Sequence, residues 1–148
     1  FGFDTAVATV TEALERVETT GQSHGRVMIV ETMGRYAGWI ALEAGLAGAA
    51  DVILLPEIDF DLERVAAVCR ERHARRRATL ICIAEGARPV GGTLTVERTV
   101  AGSPDPIRLG GVAHLLRERD GALGQALKHQ HIDVAVLCQF QRRFDAVA

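Results

Sequence analysis

Val27-Met28-Ile29-Val30-Glu31-Thr32-Met33-Gly34-Arg35 decides the fold of this chain. Its first four residues form an unbroken apolar run rich in β-branched side chains, as expected of a strand buried on both faces. Met33-Gly34-Arg35 then reads as a turn. Two runs of the same kind follow: Val52 to Leu55, ended by Pro56, and Leu80 to Ala84, ended by Glu85-Gly86. The stretches between them have helical character. Ala37 to Leu46 is Ala-rich, with Gly48 as its stop. Asp61 to Arg75 is amphipathic, and its basic last turns complement the helix dipole. Upstream, Ala6, Val7, Val10, Ala13, Leu14 and Val17 recur at helical spacing, which predicts a helix from Asp4 to Val17 capped by Asp4 or Thr5. Gly21 to Gly25 reads as a polar loop. Downstream, Arg88 to Pro106 reads as loop or loose hairpin, Leu109 to Arg119 as a helix, and Val134 to Leu137 as a fourth strand. Gly121 to His131 gives no clear signal. Strand, helix, strand, helix, strand in this order predicts an α/β fold with a mostly parallel sheet, right-handed crossovers and helices covering the sheet.

Composition narrows the class. The 148 residues are 48% hydrophobic and 24% charged, with a formal net charge of -2, so no global field favours nucleic acid or an anionic membrane. Aromatic residues make up 5%, too few for a base-stacking surface. Cys69, Cys82 and Cys138 are scattered without metal-ligand spacing, as in reduced cytosolic proteins. The stretch from Trp39 to Ile58 is broken by Glu43, Asp51, Pro56 and Glu57, which argues against a membrane span. Phe1-Gly2-Phe3-Asp4 has no initiator Met and no basic segment, so the chain is expected to be cut from something longer and not to begin with a signal peptide. One domain-sized core fits the length.

In open α/β sheets, ligands bind beyond the carboxyl ends of the strands. That rule singles out Glu31 to Arg35 and Glu85-Gly86. Gly34 lets backbone approach a ligand, Arg35 offers a planar fork for phosphate, and the following helix turns its positive end nearby. A single Gly-Arg pair is common, however, and by itself reads first as a strand–helix turn with a solvent-facing Arg. Arg26 precedes the same strand, at the opposite end of the sheet. It reads as a surface charge unless a neighbouring subunit uses it. Glu85 suits a sugar hydroxyl, a general base or a loop cap. Glu31 lies beside an apolar run and needs a partner if buried, Arg35 being a candidate. The run Arg70, Arg72, Arg75, Arg76, Arg77 is interrupted by Glu71 and reads as a solvated helix end rather than a nucleic-acid surface. The histidines show no metal spacing beyond His129-Gln130-His131. No GxxxxGK, GxGxxG or nucleophile elbow is present.

The combined strings carry more than any one of them. Gly2 to Val7, Ser23-His24-Gly25-Arg26-Val27, Val30-Glu31-Thr32-Met33-Gly34-Arg35-Tyr36-Ala37-Gly38-Trp39-Ile40-Ala41-Leu42, Ala50 to Glu57 and Ala84-Glu85-Gly86-Ala87 resemble bacterial phosphofructokinases in order and spacing, from residue 1 to about residue 90. Residues 107 to 119 are similar too. The resemblance implies a three-layer, Rossmann-like phosphofructokinase fold, present in part. It implies that residues 1–148 form a single fragment on the fructose 6-phosphate side of the site.

On the matching positions, Met33, Gly34 and Arg35 would contact fructose 6-phosphate and the reacting phosphates, with Arg35 neutralising transition-state charge. Arg26 would reach the sugar phosphate of an adjacent subunit, and Glu85 would bind sugar hydroxyls. The implied reaction uses Mg²⁺ with ATP or pyrophosphate in a cytoplasmic homo-oligomer, a dimer or tetramer, that works in glycolysis without nucleic acid or membrane. Transfer of this kind is largely positioning and charge neutralisation.

The departures are specific. The family's Gly-Gly-Asp donor loop and its Thr-Ile-Asp motif, with the catalytic base, belong upstream of Phe1. The choice between ATP and pyrophosphate belongs there as well. Residues 120–148 diverge: Asp133 stands where a sugar-phosphate Arg is expected and Gln139 where a His is expected, while Gln141 and Arg142 fit. Glu18 stands where many bacterial members carry an Arg for an allosteric nucleotide, so that regulation is not expected. The isolated chain is expected to be inactive. The alternative is a non-catalytic sugar-phosphate-binding or regulatory subunit.

Overall fold

The computed structural model describes residues 2–93, 96–99, 107–109, 111–117, 127 and 134–137. Its elements run α1 (Phe3–His24), β1 (Val27–Thr32), α2 (Trp39–Ala47), β2 (Val52–Leu54), α3 (Leu62–Ala74), β3 (Thr79–Ala84), β4 (Val96–Thr99), β5 (Ile107–Leu109), α4 (Val112–Arg117) and β6 (Val134–Leu137). Four strands form one parallel sheet in the order β2-β3-β1-β6. All six residues of β1 and of β3 are buried, as unbroken apolar runs require.

Period-two alternation sends the strand side chains to two cores. Val27 and Ile29 of β1 and Ile81 and Ile83 of β3 pack with Val65, Ala66 and Cys69 of α3 and Val112, Ala113 and Leu116 of α4. Met28, Val30, Leu80 and Cys82 face the other way, onto Val10, Leu14 and Val17 of α1 and Ala41 and Ala44 of α2. The result is three layers, helix on sheet on helix. The chain passes from β1 to β2 on the α2 face and returns from β2 to β3 on the α3 face. Opposite directions on opposite faces are what crossovers of one hand demand.

The elements differ from expectation mainly at α1. Gly21 to His24, expected as loop, continue the helix to Gly25, whose φ of 61° ends it. Gly21 belongs in the helix for packing reasons: a Cβ there would lie 2.7 Å from Met28 Cγ, so glycine lets α1 cross close over β1. The N-cap is Gly2 without a side-chain bond, not Asp4 or Thr5. At α3 the expected Asp61 does cap, accepting from Glu63 N at 2.9 Å and Arg64 N at 3.3 Å. The segment expected as a helix from Leu109 begins instead with a strand residue. β4 and β5 pair antiparallel there, and α4 starts at Val112. Gly121 to His131, apart from Leu127, lie outside the described residues.

Candidate functional site

Neighbouring β1 and β3 send their chains to opposite faces. After β1 the backbone goes to α2; after β3 it goes toward α4. Such a switch point opens a crevice beyond the strand ends. Met33-Gly34-Arg35 lies on one side of it and Glu85-Gly86 on the other.

The two segments interlock through their backbones. Glu85 N donates to Thr32 O at 2.9 Å, and Gly86 N donates to Gly34 O at 3.1 Å. Gly34 N donates to Glu85 Oε1 at 3.4 Å, a long bond. Two glycines make the approach possible. Gly34 has φ of 148°, which L side chains rarely adopt, and a Cβ there would meet Ala37 O at 2.9 Å. A Cβ on Gly86 would fall 2.0 Å from Arg35 O. Arg35 and Glu85, brought to this crevice by the sequence, therefore converge at one strand end through Gly34. Arg35 is half-buried, with its guanidinium carbon 5.5 Å from the centroid of the Tyr36 ring. Met33 is 44% exposed at the same edge.

Three carboxylates at this end hold backbone N–H groups. Glu31, 5% exposed, accepts from Gly111 N at 2.8 Å and Ala113 N at 2.9 Å, which caps α4. The sequence offered Arg35 as a partner for this buried carboxylate; the backbone amides of Gly111 and Ala113 are partners it did not foresee. Glu57 accepts from Gly38 N at 2.9 Å. Glu85 is the third. Glu57 was not singled out from the sequence, although it follows Pro56 three residues beyond the end of β2, at the same end of the sheet as Glu31 and Glu85. Among the described residues, no group of three His, Cys, Asp or Glu stands together as a metal cage. Gln141, Arg142, Asp133 and Gln139 lie outside the described residues.

Arg26 sits at the other end of the sheet, next to the amino end of β1, its carbonyl accepting from Thr79 N at 3.3 Å. Six residues of strand, roughly 20 Å, separate it from the Arg35 edge. Here side chains pair with side chains. Arg72 bonds Asp51 Oδ1 at 2.8 Å and Ala78 O at 3.0 Å, and Asp51 Oδ2 accepts from Leu80 N at 2.9 Å. Arg70 pairs with Glu63 and Arg75 with Glu71, as a solvated helix end would. A pocket of about 380 Å³ opens among Glu18, Asp51, Arg72, Arg76 and Arg77. Two of its lining residues, Ala49 and Arg76, have positive φ, 52° and 56°. Glu18 puts a carboxylate in its wall and accepts from Gln22 Nε2 at 2.8 Å. Burial raises the thiol of Cys69 to about 11 and that of Cys82 to about 12, so neither is a nucleophile at neutral pH. No helix among the described residues is long and apolar enough to cross a membrane.

The sequence model of the family described as "Phosphofructokinase" matches residues 1–147. The chain is 49% identical over 144 residues to ATP-dependent 6-phosphofructokinase 2 of Clostridium perfringens, covering 96% of this chain and 38% of that protein. It is 47% identical over 119 residues to the pyrophosphate--fructose 6-phosphate 1-phosphotransferase of Streptomyces coelicolor, covering 80% of this chain and 35% of that one. It thus spans little more than a third of the length of these curated relatives. Among solved structures it resembles phosphofructokinase from Saccharomyces cerevisiae, with a TM-score of 0.65 and 28% identity over 94% of this chain and 16% of that one.

Proposed function

This chain belongs to the phosphofructokinase family, and from that premise we propose that its crevice is the sugar-phosphate side of a 6-phosphofructokinase site. The reaction is phosphoryl transfer from ATP or pyrophosphate to the 1-hydroxyl of fructose 6-phosphate, a glycolytic step. The observation that carries the reading is the convergence of Arg35 and Glu85 through Gly34 at the switch point. The guanidinium of Arg35 is always charged and presents a rigid fork, which suits an equatorial phosphate oxygen. Glu85, at the strand end where its Oε1 accepts from Gly34 N at 3.4 Å, is a carboxylate of the kind that accepts from sugar hydroxyls. Gly34 lets phosphate approach the backbone. Met33 offers an apolar contact, and Gln141 and Arg142 complete the phosphate set. The positive end of α2 begins near Arg35, although Glu57, on the amide of its N-cap residue Gly38 at 2.9 Å, partly offsets that field. Arg26 serves the site of an adjacent subunit in a homo-oligomer, a dimer or a homotetramer, in the cytoplasm.

When bound, Mg²⁺ with ATP or pyrophosphate supplies the phosphoryl group. The residues described here do not fit the cation: Glu31, Glu57 and Glu85 each bond backbone N–H groups and form no cage. Donor and metal are therefore assigned to other parts of the protein. The 148 residues contain neither Gly-Gly-Asp nor Thr-Ile-Asp, and the chain alone is expected to bind sugar phosphate without turning it over. A coupled assay with fructose 6-phosphate, Mg²⁺ and either donor tests this. Turnover of about 1 to 100 per second would refute it. The alternative reading is a non-catalytic sugar-phosphate-binding or regulatory subunit. Finding both motifs in the codons that precede Phe1 would reject that alternative.

A further inference from the structure

The segment from Met33 to Gly38 has no helix or strand of its own, yet it carries the cation of the site. Both of its glycines are fastened. At one end, Gly34 is locked to Glu85 and Gly86. At the other, Gly38 N donates to Glu57 Oε1 at 2.9 Å. Only Arg35, Tyr36 and Ala37 lie between these fixed points. Tyr36 is 77% exposed, and the Arg35 carbonyl lies against Gly86. Gly38 itself is enclosed: a Cβ there would meet Leu55 Cδ2 at 2.7 Å, Pro56 Cδ at 2.8 Å and Glu57 Oε2 at 3.2 Å. The end of β2 thus grips the start of α2 closely enough to set where the preceding turn leaves off.

We infer that Glu57 is a positioning residue for Arg35, pinning the Gly38 amide so that the three-residue span presents the guanidinium at the crevice. The inference rests on the sugar-phosphate reading given above and extends it to a residue with no direct role in that reading. Simple electrostatics predicts the opposite sign. A carboxylate near an anion site repels phosphate, so deleting it would tighten binding if charge were its main influence. If position is its main influence, deletion weakens binding, because misplacing a contact by about 1 Å can cost on the order of 100-fold.

The test compares Glu57→Ala and Glu57→Gln with the parent in the full natural protein. It reads the Kd for fructose 6-phosphate, amide hydrogen exchange at Gly38 and Tm. Glu57→Ala is expected to weaken fructose 6-phosphate by about 10-fold or more and to speed Gly38 exchange by at least about 10-fold. Glu57→Gln keeps an acceptor oxygen without the charge, and is expected to restore both to near the parent values. Tighter binding in Glu57→Ala would overturn the inference, as would unchanged Gly38 exchange or a lowered Tm with unchanged affinity. If the parent binds no fructose 6-phosphate, the sugar-phosphate reading fails on its own. Gly38 exchange still decides whether Glu57 fixes the Arg35 span.

Discussion

The two ends of the sheet solve the problem of charge differently. At the carboxyl end, Glu31, Glu57 and Glu85 accept from backbone amides, and the segments they join meet through glycines at distances no side chain would allow. At the amino end, Arg70, Arg72 and Arg75 pair with acidic side chains that water also reaches. The first arrangement fixes the backbone on either side of Arg35. The second joins charged side chains to one another, with Arg72 and Asp51 also holding Ala78 O and Leu80 N. Substitutions at the carboxyl end should therefore disturb geometry and function together, whereas those at the amino end should cost modest, salt-sensitive stability.

Gly86→Val tests the strongest form of that difference. The added Cβ would sit 2.0 Å from Arg35 O, against backbone and not against a flexible side-chain tip. Either the interlock opens or the strand end shifts. A loss of about 3 kcal/mol or more is expected, together with loss of fructose 6-phosphate binding. Thermal unfolding and a binding isotherm check it. A variant of parent stability with intact binding would mean that the two segments are not held in contact.

Glu31→Ala ranks next. Its carboxylate is buried and holds Gly111 N and Ala113 N, so truncation strands two donors at the start of α4. A cost of about 2–4 kcal/mol in denaturant unfolding is expected. Arg72→Ala at the amino end should cost less, about 1–2 kcal/mol, because its side chain and that of Asp51 are 28% and 21% exposed and solvent screens the pair. Added salt should shrink the Arg72 effect and leave the Glu31 effect nearly unchanged. If the two costs were equal and equally salt-sensitive, the contrast between the ends would collapse.

The same contrast explains what could be read from sequence. The three buried runs, the helix between Asp61 and Arg75 and the strand at Val134–Leu137 were legible because periodicity and caps are local. So was the meeting of Arg35 with Glu85, since the switch-point rule follows from strand order. The extension of α1 through Gly21 was not, because a glycine that serves close packing against Met28 carries the same letter as a loop glycine. Nor were the partners of Glu31 and Glu57. Both bond backbone amides, which every residue has, and Gly111 lies 80 positions from Glu31.

The smallest effect is expected at Arg26, and it separates the ends most cleanly. Arg26 and Arg35 flank the same six-residue strand, roughly 20 Å apart along its axis. A single sugar phosphate is shorter than that, so one molecule cannot be clasped by both from the same chain. Within one chain, Arg35→Ala should weaken fructose 6-phosphate by about 10-fold or more, as loss of a charge-assisted phosphate contact does, while Arg26→Ala should leave affinity within about twofold. If the full protein forms an oligomer in which Arg26 serves a neighbour, the outcome changes. A chain lacking Arg26 spoils the adjacent site and keeps its own catalytic groups, whereas a chain lacking the catalytic base spoils only its own. Mixing the two should then rebuild some complete sites, and activity should exceed that of either variant alone. Arg35→Ala and a base-deficient chain act on the same site of each subunit, so their mixture should recover nothing. Recovery with Arg35→Ala, or a single-chain affinity loss with Arg26→Ala, would place both arginines at one site and reverse the assignment of the two sheet ends.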